Sequence, residues 1–391
     1  MKSNEVSRAP RIAVAGLSAR LLAQSARRAG LNVVALDIFG DRDTREDAGL
    51  WFDIGAADGN GLSIDRARLY DALEHAARLP RMLGLVVTSG LEPLAGELSR
   101  APRMPRFIGN GAQAEAVRDP KRFFALLDDA GIAHPEVRFA PPVDRRGWLV
   151  KRSDGCGGTH IEWAEDVART PKGGYCQRLA QGRSMSALFV AAHREATVIG
   201  FAEQLSVAAG RLPFVHAGSL GPVRLPPRTA ARIVGAIDKI VWQTDLTGLN
   251  SIDFLLDGDE FSVLEINTRP SSTMALYEAA WPDAWPRGLI GAHLDACLHG
   301  ELPRTFAHTP SLFAGQRVVF APAGFAVSRA FSDACFDDPA CHDVPLAGAR
   351  IEAGMPVCTI TAVVPAFSDL RDALEREHAR LLQRIETRST S

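Results

Sequence analysis

The sequence predicts an α/β protein built from more than one unit, and three observations carry that reading. Short apolar runs alternate with helical stretches between residue 10 and about residue 110. A hairpin pattern with polar side chains at every second position occupies 251–269. Beyond Arg304 the chain breaks into short β-like runs between Pro and Gly, then closes on a charged helical stretch, Leu370–Ile385. A chain of 391 residues also exceeds what one core usually holds.

The first strand is Arg11–Gly16 (RIAVAG), apolar, rich in β-branched residues and ended by Gly. Leu21–Ala29 has helical character, and Asn32–Leu36 is the second strand, followed by Asp37. A helix around Leu69–Ala77 precedes a strand at Gly84–Thr88. Strand, helix, strand alternation implies a parallel sheet with right-handed crossovers, a Rossmann-like unit. The loop Gly16-Leu17-Ser18-Ala19-Arg20 lacks the three-glycine fingerprint of dinucleotide sites. Thr88-Ser89-Gly90-Leu91-Glu92 follows a strand on the ligand side of such a sheet, which makes Glu92 a candidate substrate contact.

From Asp119 the texture changes. Pro120–Ala130 reads as a helix capped by Asp119 and stopped by Gly131. Gly147–Lys151 and Gly174–Leu179 are strands, further strands follow between 186 and 270, and one helix falls near Arg228–Thr244.

Composition bounds the function. Hydrophobic residues make up 46% and charged residues 23%, ordinary for a globular protein. A formal net charge of −2 argues against a general nucleic-acid binder. No run of about 18 apolar residues is present, so no membrane span is expected. Met1–Pro10 is polar, without a signal core, and a cytoplasmic location is the expectation. The six cysteines are scattered, which argues against a disulfide framework, and Cys335-x5-Cys341-His342 fits no common zinc spacing.

The segment Asn250–Met274 (NSIDFLLDGDEFSVLEINTRPSSTM) is the most informative. Ser251–Leu256 turns at Asp257-Gly258-Asp259 and returns as Phe261–Ile266. Side chains repeat every two residues along a strand, so Glu265, Asn267 and Arg269 share one face, with Asp253 across from them. Two carboxylates, an amide oxygen and a guanidinium suit a magnesium–phosphate centre, because Mg²⁺ takes one or two carboxylates and completes its shell with phosphates. Arg269 can then neutralise a transferring phosphoryl group or hold a substrate carboxylate. The bland alternative is a solvated strand face with charge pairs.

Trp148–Gly158 (WLVKRSDGCGG) places Lys151 before Gly155, Gly157 and Gly158. Glycines let backbone N–H groups approach phosphate closely. The lysine precedes the glycines, so this is not the Walker pattern, and taken alone the loop also reads as a simple mobile turn. Gly174–Ser186 is a strand and turn whose backbone at Gln177, Arg178 and Leu179 can meet an adenine edge. Lys121 is a second candidate phosphate lysine.

With these pieces in this order, the chain resembles the ATP-grasp superfamily. The resemblance covers about residue 10 to 300, and the carboxylate–Asn–Arg segment is its most specific part. It implies a Rossmann-like unit at 1–112 and an ATP-grasp domain at 113–302, with a mobile lid at about 121–185 and a core at 186–302. A small β-rich accessory unit would follow at 303–391. By the same resemblance Lys121, Lys151 and the loop glycines would touch ATP phosphates, and Gln177–Leu179 would line the adenine. Asp253, Glu265 and Asn267 would bind one or two Mg²⁺, and Arg269 would steady an acyl phosphate. Many members carry a ribose-binding acid after the adenine strand. Gln177 and Ser184 stand there instead, and Glu203 is the candidate substitute. Val34–Thr44, Gln177–Ser186 and Phe201–Gln204 look like the carboxylate–amine ligases close to tyramine–glutamate ligase.

The expected activity is ATP-dependent joining of a small-molecule acid to an amine through an acyl phosphate. A bicarbonate-using, carboxylase-type enzyme and a non-catalytic nucleotide-binding module are the alternatives. The acid and the amine are not legible, and a homodimer is an expectation the sequence leaves open.

Overall fold

A computed structural model describes residues 9–56, 62–304 and 310–386. The start of the polar N-terminus, residues 1–8, lies outside them. No helix among the described residues is long and apolar enough to cross a membrane.

Among the described residues, three larger sheets with their covering helices make the body of the molecule, and a two-stranded ribbon, Phe325–Ala326 with Arg350–Ile351, is added near the C-terminus. The N-terminal sheet has four parallel strands in the order Leu50–Asp53, Asn32–Asp37, Arg11–Ala15, Met82–Val87. Its central strands are apolar on both faces because helices cover both. Arg66–Ala77 covers one face over Leu69 and Leu73. Arg20–Arg28 covers the other over Leu22 and Ala26. That second core continues into Leu188, Val190 and Leu249 of the largest sheet and into the helix Gly288–His299. The N-terminal sheet is therefore welded by apolar packing to the part of the chain that holds the carboxylate motif.

The second sheet is small and antiparallel: Val137–Arg138, Gly174–Arg178, Trp148–Arg152, Ile161–Trp163. It is preceded by the helix Pro120–Ala130, whose Asp119 cap accepts from the N–H groups of Lys121 and Arg122. Gly131 ends that helix at φ +64°, a conformation that favours Gly.

The third sheet has eight strands and forms the body of the protein. Its order is Glu260–Asn267, Gly248–Asp257, Arg183–Ala192, Glu195–Ala209, Leu212–Val223, Phe313–Phe320, Pro356–Val364, Cys341–His342. The chain beyond 303 packs a further core, Val319, Phe331, Cys358 and Ile360, together with Leu220 of the strand Leu212–Val223 and under the helix Leu370–Glu386. Its strands nevertheless continue the large sheet, with Gly218 opposite Arg317 and Gly221 opposite Ala314. Cys335, Cys341 and Cys358 are free thiols inside that core.

Candidate active site

The expected hairpin is present. Strand Gly248–Asp257 pairs with Glu260–Asn267, and the register sets Asp253 directly opposite Glu265. Alternation then puts Asn267 beside Asp253, and its amide donates to Asp253 Oδ2 at 3.0 Å. Asn267 Oδ1 in turn accepts from Arg269 Nη2 at 3.1 Å. Arg269 Nε donates to Glu92 Oε1 at 2.6 Å, which carries the line of contacts into the N-terminal unit. Glu92 is held by the Gly90 N–H at 2.7 Å, and Thr88 Oγ1 donates to the Pro270 carbonyl at 3.2 Å. The loop after the fourth N-terminal strand thus grips the segment after the carboxylate strand.

Lys151 faces this line from the small sheet. It is 4% exposed, and both Glu265 and Asp253 lie within electrostatic reach. Burial lowers its ammonium below the usual lysine range, and the two carboxylates only partly offset that. Burial works against the Arg269 charge as well, but Glu92 outweighs it and the guanidinium is held above its ordinary value. Burial, then the charge of Glu265, pushes the Asp253 carboxyl up to about 6.

That shift yields a stability prediction. A carboxyl raised in the folded state contributes stability below its unfolded value near 3.8 and loses it as pH rises through about 6. The difference is worth up to roughly 3 kcal/mol. Asp253→Asn should therefore melt several degrees above wild type at pH 8 without metal, with the gap closing towards pH 4. Thermal melts of both proteins across that range check it. A gap that does not depend on pH would remove the electrostatic cause.

The glycine loop closes the crevice. The Gly157 carbonyl accepts from the His216 N–H at 2.9 Å, on the strand Leu212–Val223. A Cβ on Gly158 would lie 1.8 Å from the Phe214 carbonyl oxygen, and φ there is +77°. Only glycine permits this approach. Trp163 and Phe214 add a ring contact at 6.1 Å. The crevice beneath is lined by Glu92, Arg118, Arg152, His160, Glu265 and Asn267, among others.

Four buried polar atoms around this space lack a well-formed hydrogen bond: Asp253 Oδ1 and Ser186 Oγ, which lie within reach of one another across paired strands, Gln177 Nε2, and His160 Nδ1 in the loop before Ile161. Buried polar groups in folded proteins are otherwise paired, so such a gathering marks where a ligand belongs.

Not every residue expected at the site arrives there. Glu203 lies opposite Met185, which lies opposite Phe254, so alternation sets it on the face away from Asp253 and Ser186. It is paired there with Arg371. A ribose contact from Glu203 does not fit this geometry. The strand Gly174–Arg178 is paired on both sides, and the N–H groups of Arg178 and Leu179 already donate to the Glu136 and Gly147 carbonyls at 2.8 and 2.9 Å. Those two N–H groups do not form a free adenine edge. Arg178 instead lies over the Trp148 ring, and Leu179 is exposed, which leaves the Gln177 side chain as the unpaired group on that strand. Lys121 is exposed and does not line the crevice; its ammonium lies 5.5 Å from the Phe139 ring centroid. Arg118, the last residue of the preceding short helix Ala114–Arg118, lines the crevice instead. His216, near Arg269, is a further group the sequence did not single out. Burial and then the Arg269 charge lower its imidazole to about 4.

Comparison with known proteins agrees with this architecture. Residues 118–273 match the family model described as ATP-grasp domain. Among solved structures the chain is similar to an L-amino acid ligase from Bacillus licheniformis, with a TM-score of 0.68 at 14% identity over 96% of this chain and 97% of that one. Biotin carboxylase from Campylobacter jejuni gives 0.66 at 13% identity, covering 93% and 90%. N5-carboxyaminoimidazole ribonucleotide synthetase from Thermus thermophilus gives 0.65 at 17%, covering 95% and 98%. No curated protein matches the sequence. The protein has the ATP-grasp fold, with the four-stranded parallel sheet as its N-terminal unit.

Proposed function

We propose that the protein is an ATP-dependent ligase that activates a carboxylate as an acyl phosphate and joins it to an amine. The observation that carries this reading is the unbroken contact line Asp253–Asn267–Arg269–Glu92, facing buried Lys151 and the glycine loop.

The donors fit magnesium. Asp253 offers a buried oxygen without a partner, Glu265 stands opposite, and the Asn267 carbonyl has a second lone pair beside the one Arg269 uses. Two carboxylates and an amide are too few to encage a hard cation, and suit one that completes its shell with phosphates. Asp253, Glu265 and Asn267 would hold Mg²⁺, which supplies charge neutralisation on the nucleotide's phosphates.

The rest is the work of the chain. Lys151 and the N–H groups of the loop cradle the phosphates, and Gln177 meets the base. The acid enters beside Thr88–Glu92 and takes Arg269 from Glu92, which sets a carboxylate oxygen in line with the γ-phosphorus. That oxygen attacks, the bond to ADP breaks, and an acyl phosphate forms. The amine then attacks the carbonyl carbon and phosphate leaves. Positioning and charge neutralisation suffice for such a transfer. The closed loop keeps water from the acyl phosphate. We read glutamate with tyramine or a related aromatic amine as the first pair to try, on the strength of Val34–Thr44, Gln177–Ser186 and Phe201–Gln204.

The test is ADP release from acid and amine pairs, with labelled bicarbonate as a separate arm. The reading requires ADP only when acid and amine are both present. Label from bicarbonate in the product would replace it with a carboxylase.

A further inference from the structure

His160 takes no part in the steps above. It precedes the strand Ile161–Trp163, and its carbonyl accepts from the Arg152 N–H at 3.3 Å. The glycine loop crosses it so closely that a Cβ on Gly155 would sit 2.0 Å from the His160 Cβ. The residue is 5% exposed and lines the crevice with Arg152, Gly155 and Glu265.

Its Nδ1 is buried and makes no hydrogen bond. The Cys156 carbonyl lies within hydrogen-bonding reach of this ring without a well-formed bond to Nδ1, and it already receives the Thr159 N–H at 3.3 Å and the Thr159 hydroxyl at 2.9 Å. The charged neighbours are Glu265, Lys151 and Arg152. Two cations against one carboxylate favour an anion in the gap between them. Burial first, and then the two cations, disfavour a charged ring, so the imidazole enters as a neutral donor. Of the four unpaired atoms, Asp253 Oδ1 and Ser186 Oγ belong to the carboxylate row and Gln177 Nε2 to the strand assigned to the base. The loop that crosses His160 is the one read as cradling phosphate, so in this reading the phosphates are the part of the nucleotide set beside it.

We propose that His160 donates its Nδ1–H to a phosphate oxygen of the bound nucleotide, as a partner to Lys151 beneath the glycine loop. The inference rests on the nucleotide site described above. The loop shuts Nδ1 off from solvent, so the contact forms as the loop reseats over bound phosphate.

Calorimetric titration of ADP with Mg²⁺ into the full-length protein tests it. Asparagine places an N–H where Nδ1 lies, glutamine moves it to the Nε2 end, and phenylalanine keeps the ring without a donor. His160→Asn should bind ADP within about threefold of wild type, whereas His160→Phe and His160→Gln should bind about tenfold more weakly. If the phenylalanine variant does not fold, the contrast between asparagine and glutamine decides. Wild-type affinity in the glutamine variant, or equal losses in asparagine and glutamine, would overturn the proposal and leave His160 a packing residue. Failure of the wild type itself to bind ADP would instead overturn the nucleotide site and this contact with it.

Discussion

Glu265→Gln is expected to lower ADP formation at least a thousandfold while leaving the melting temperature within a few degrees of wild type. The substitution keeps the shape of a side chain on the outermost strand of the large sheet and removes one of two facing carboxylates. A thousandfold loss is about 4 kcal/mol at the transition state, a reasonable figure for a lost metal ligand where charge neutralisation does most of the work. Losing the Glu265 charge weakens the support of the buried Lys151 ammonium, but the fold gains at Asp253. Glu265 pushes the Asp253 carboxyl upward, so removing its charge relieves a repulsion. A coupled ADP assay and a melt on the same preparation measure both sides. More than about a tenth of the wild-type rate would remove Glu265 from the metal site.

Arg269→Met should cost both activity and stability, and Glu92 is the reason. The pair is closed at 2.6 Å, with side chains only 9% and 14% exposed. Removing one member of a buried ion pair strands the other charge, at a cost of about 3–5 kcal/mol. The double variant Glu92→Gln with Arg269→Met leaves no stranded charge and should recover most of that loss without recovering activity. Urea midpoints of the wild type, both single variants and the double variant give the coupling directly. If Arg269→Met is as stable as wild type, the pair does not lock the N-terminal unit to the core.

The parts of this site that were legible in the sequence are local in the chain. Glu265, Asn267 and Arg269 share a face because a strand repeats every two residues, and that needs no knowledge of the rest of the molecule. The Asp119 cap and the Gly131 stop are likewise short-range signals. The Arg269–Glu92 contact spans 177 positions, and nothing near either residue announces it. It follows from how the N-terminal sheet docks, through Leu22 and Ala26 against Leu188 and Leu249.

Glu203 shows a different limit. Its identity suggested an acid for the ribose, but its face depends on counting from Ser186 and Ala202 across two strand pairs, and the count sends it to Arg371. The strand Gly174–Arg178 was legible as a strand but not as an interior one. Pairing with both Val137–Arg138 and Trp148–Arg152 occupies the N–H groups of Arg178 and Leu179 that the sequence offered to adenine or leaves them bound to loop carbonyls. Arg118 and His160 carry no motif at all. They are identified only by what surrounds them once the chain has folded. The strands Phe313–Phe320 and Pro356–Val364 were expected in a separate unit, and only their partners show that they extend the large sheet.

The central claim is that Asp253, Glu265 and Asn267 converge on a metal that the nucleotide brings. A crystal structure with Mg²⁺ and a non-hydrolysable ATP analogue tests it most directly. Metal density is expected between the Asp253 and Glu265 carboxylates, with the terminal phosphate on the Lys151 side and the glycine loop closed above. A nucleotide bound elsewhere, or phosphates in the crevice with both carboxylates turned away from them, would contradict it.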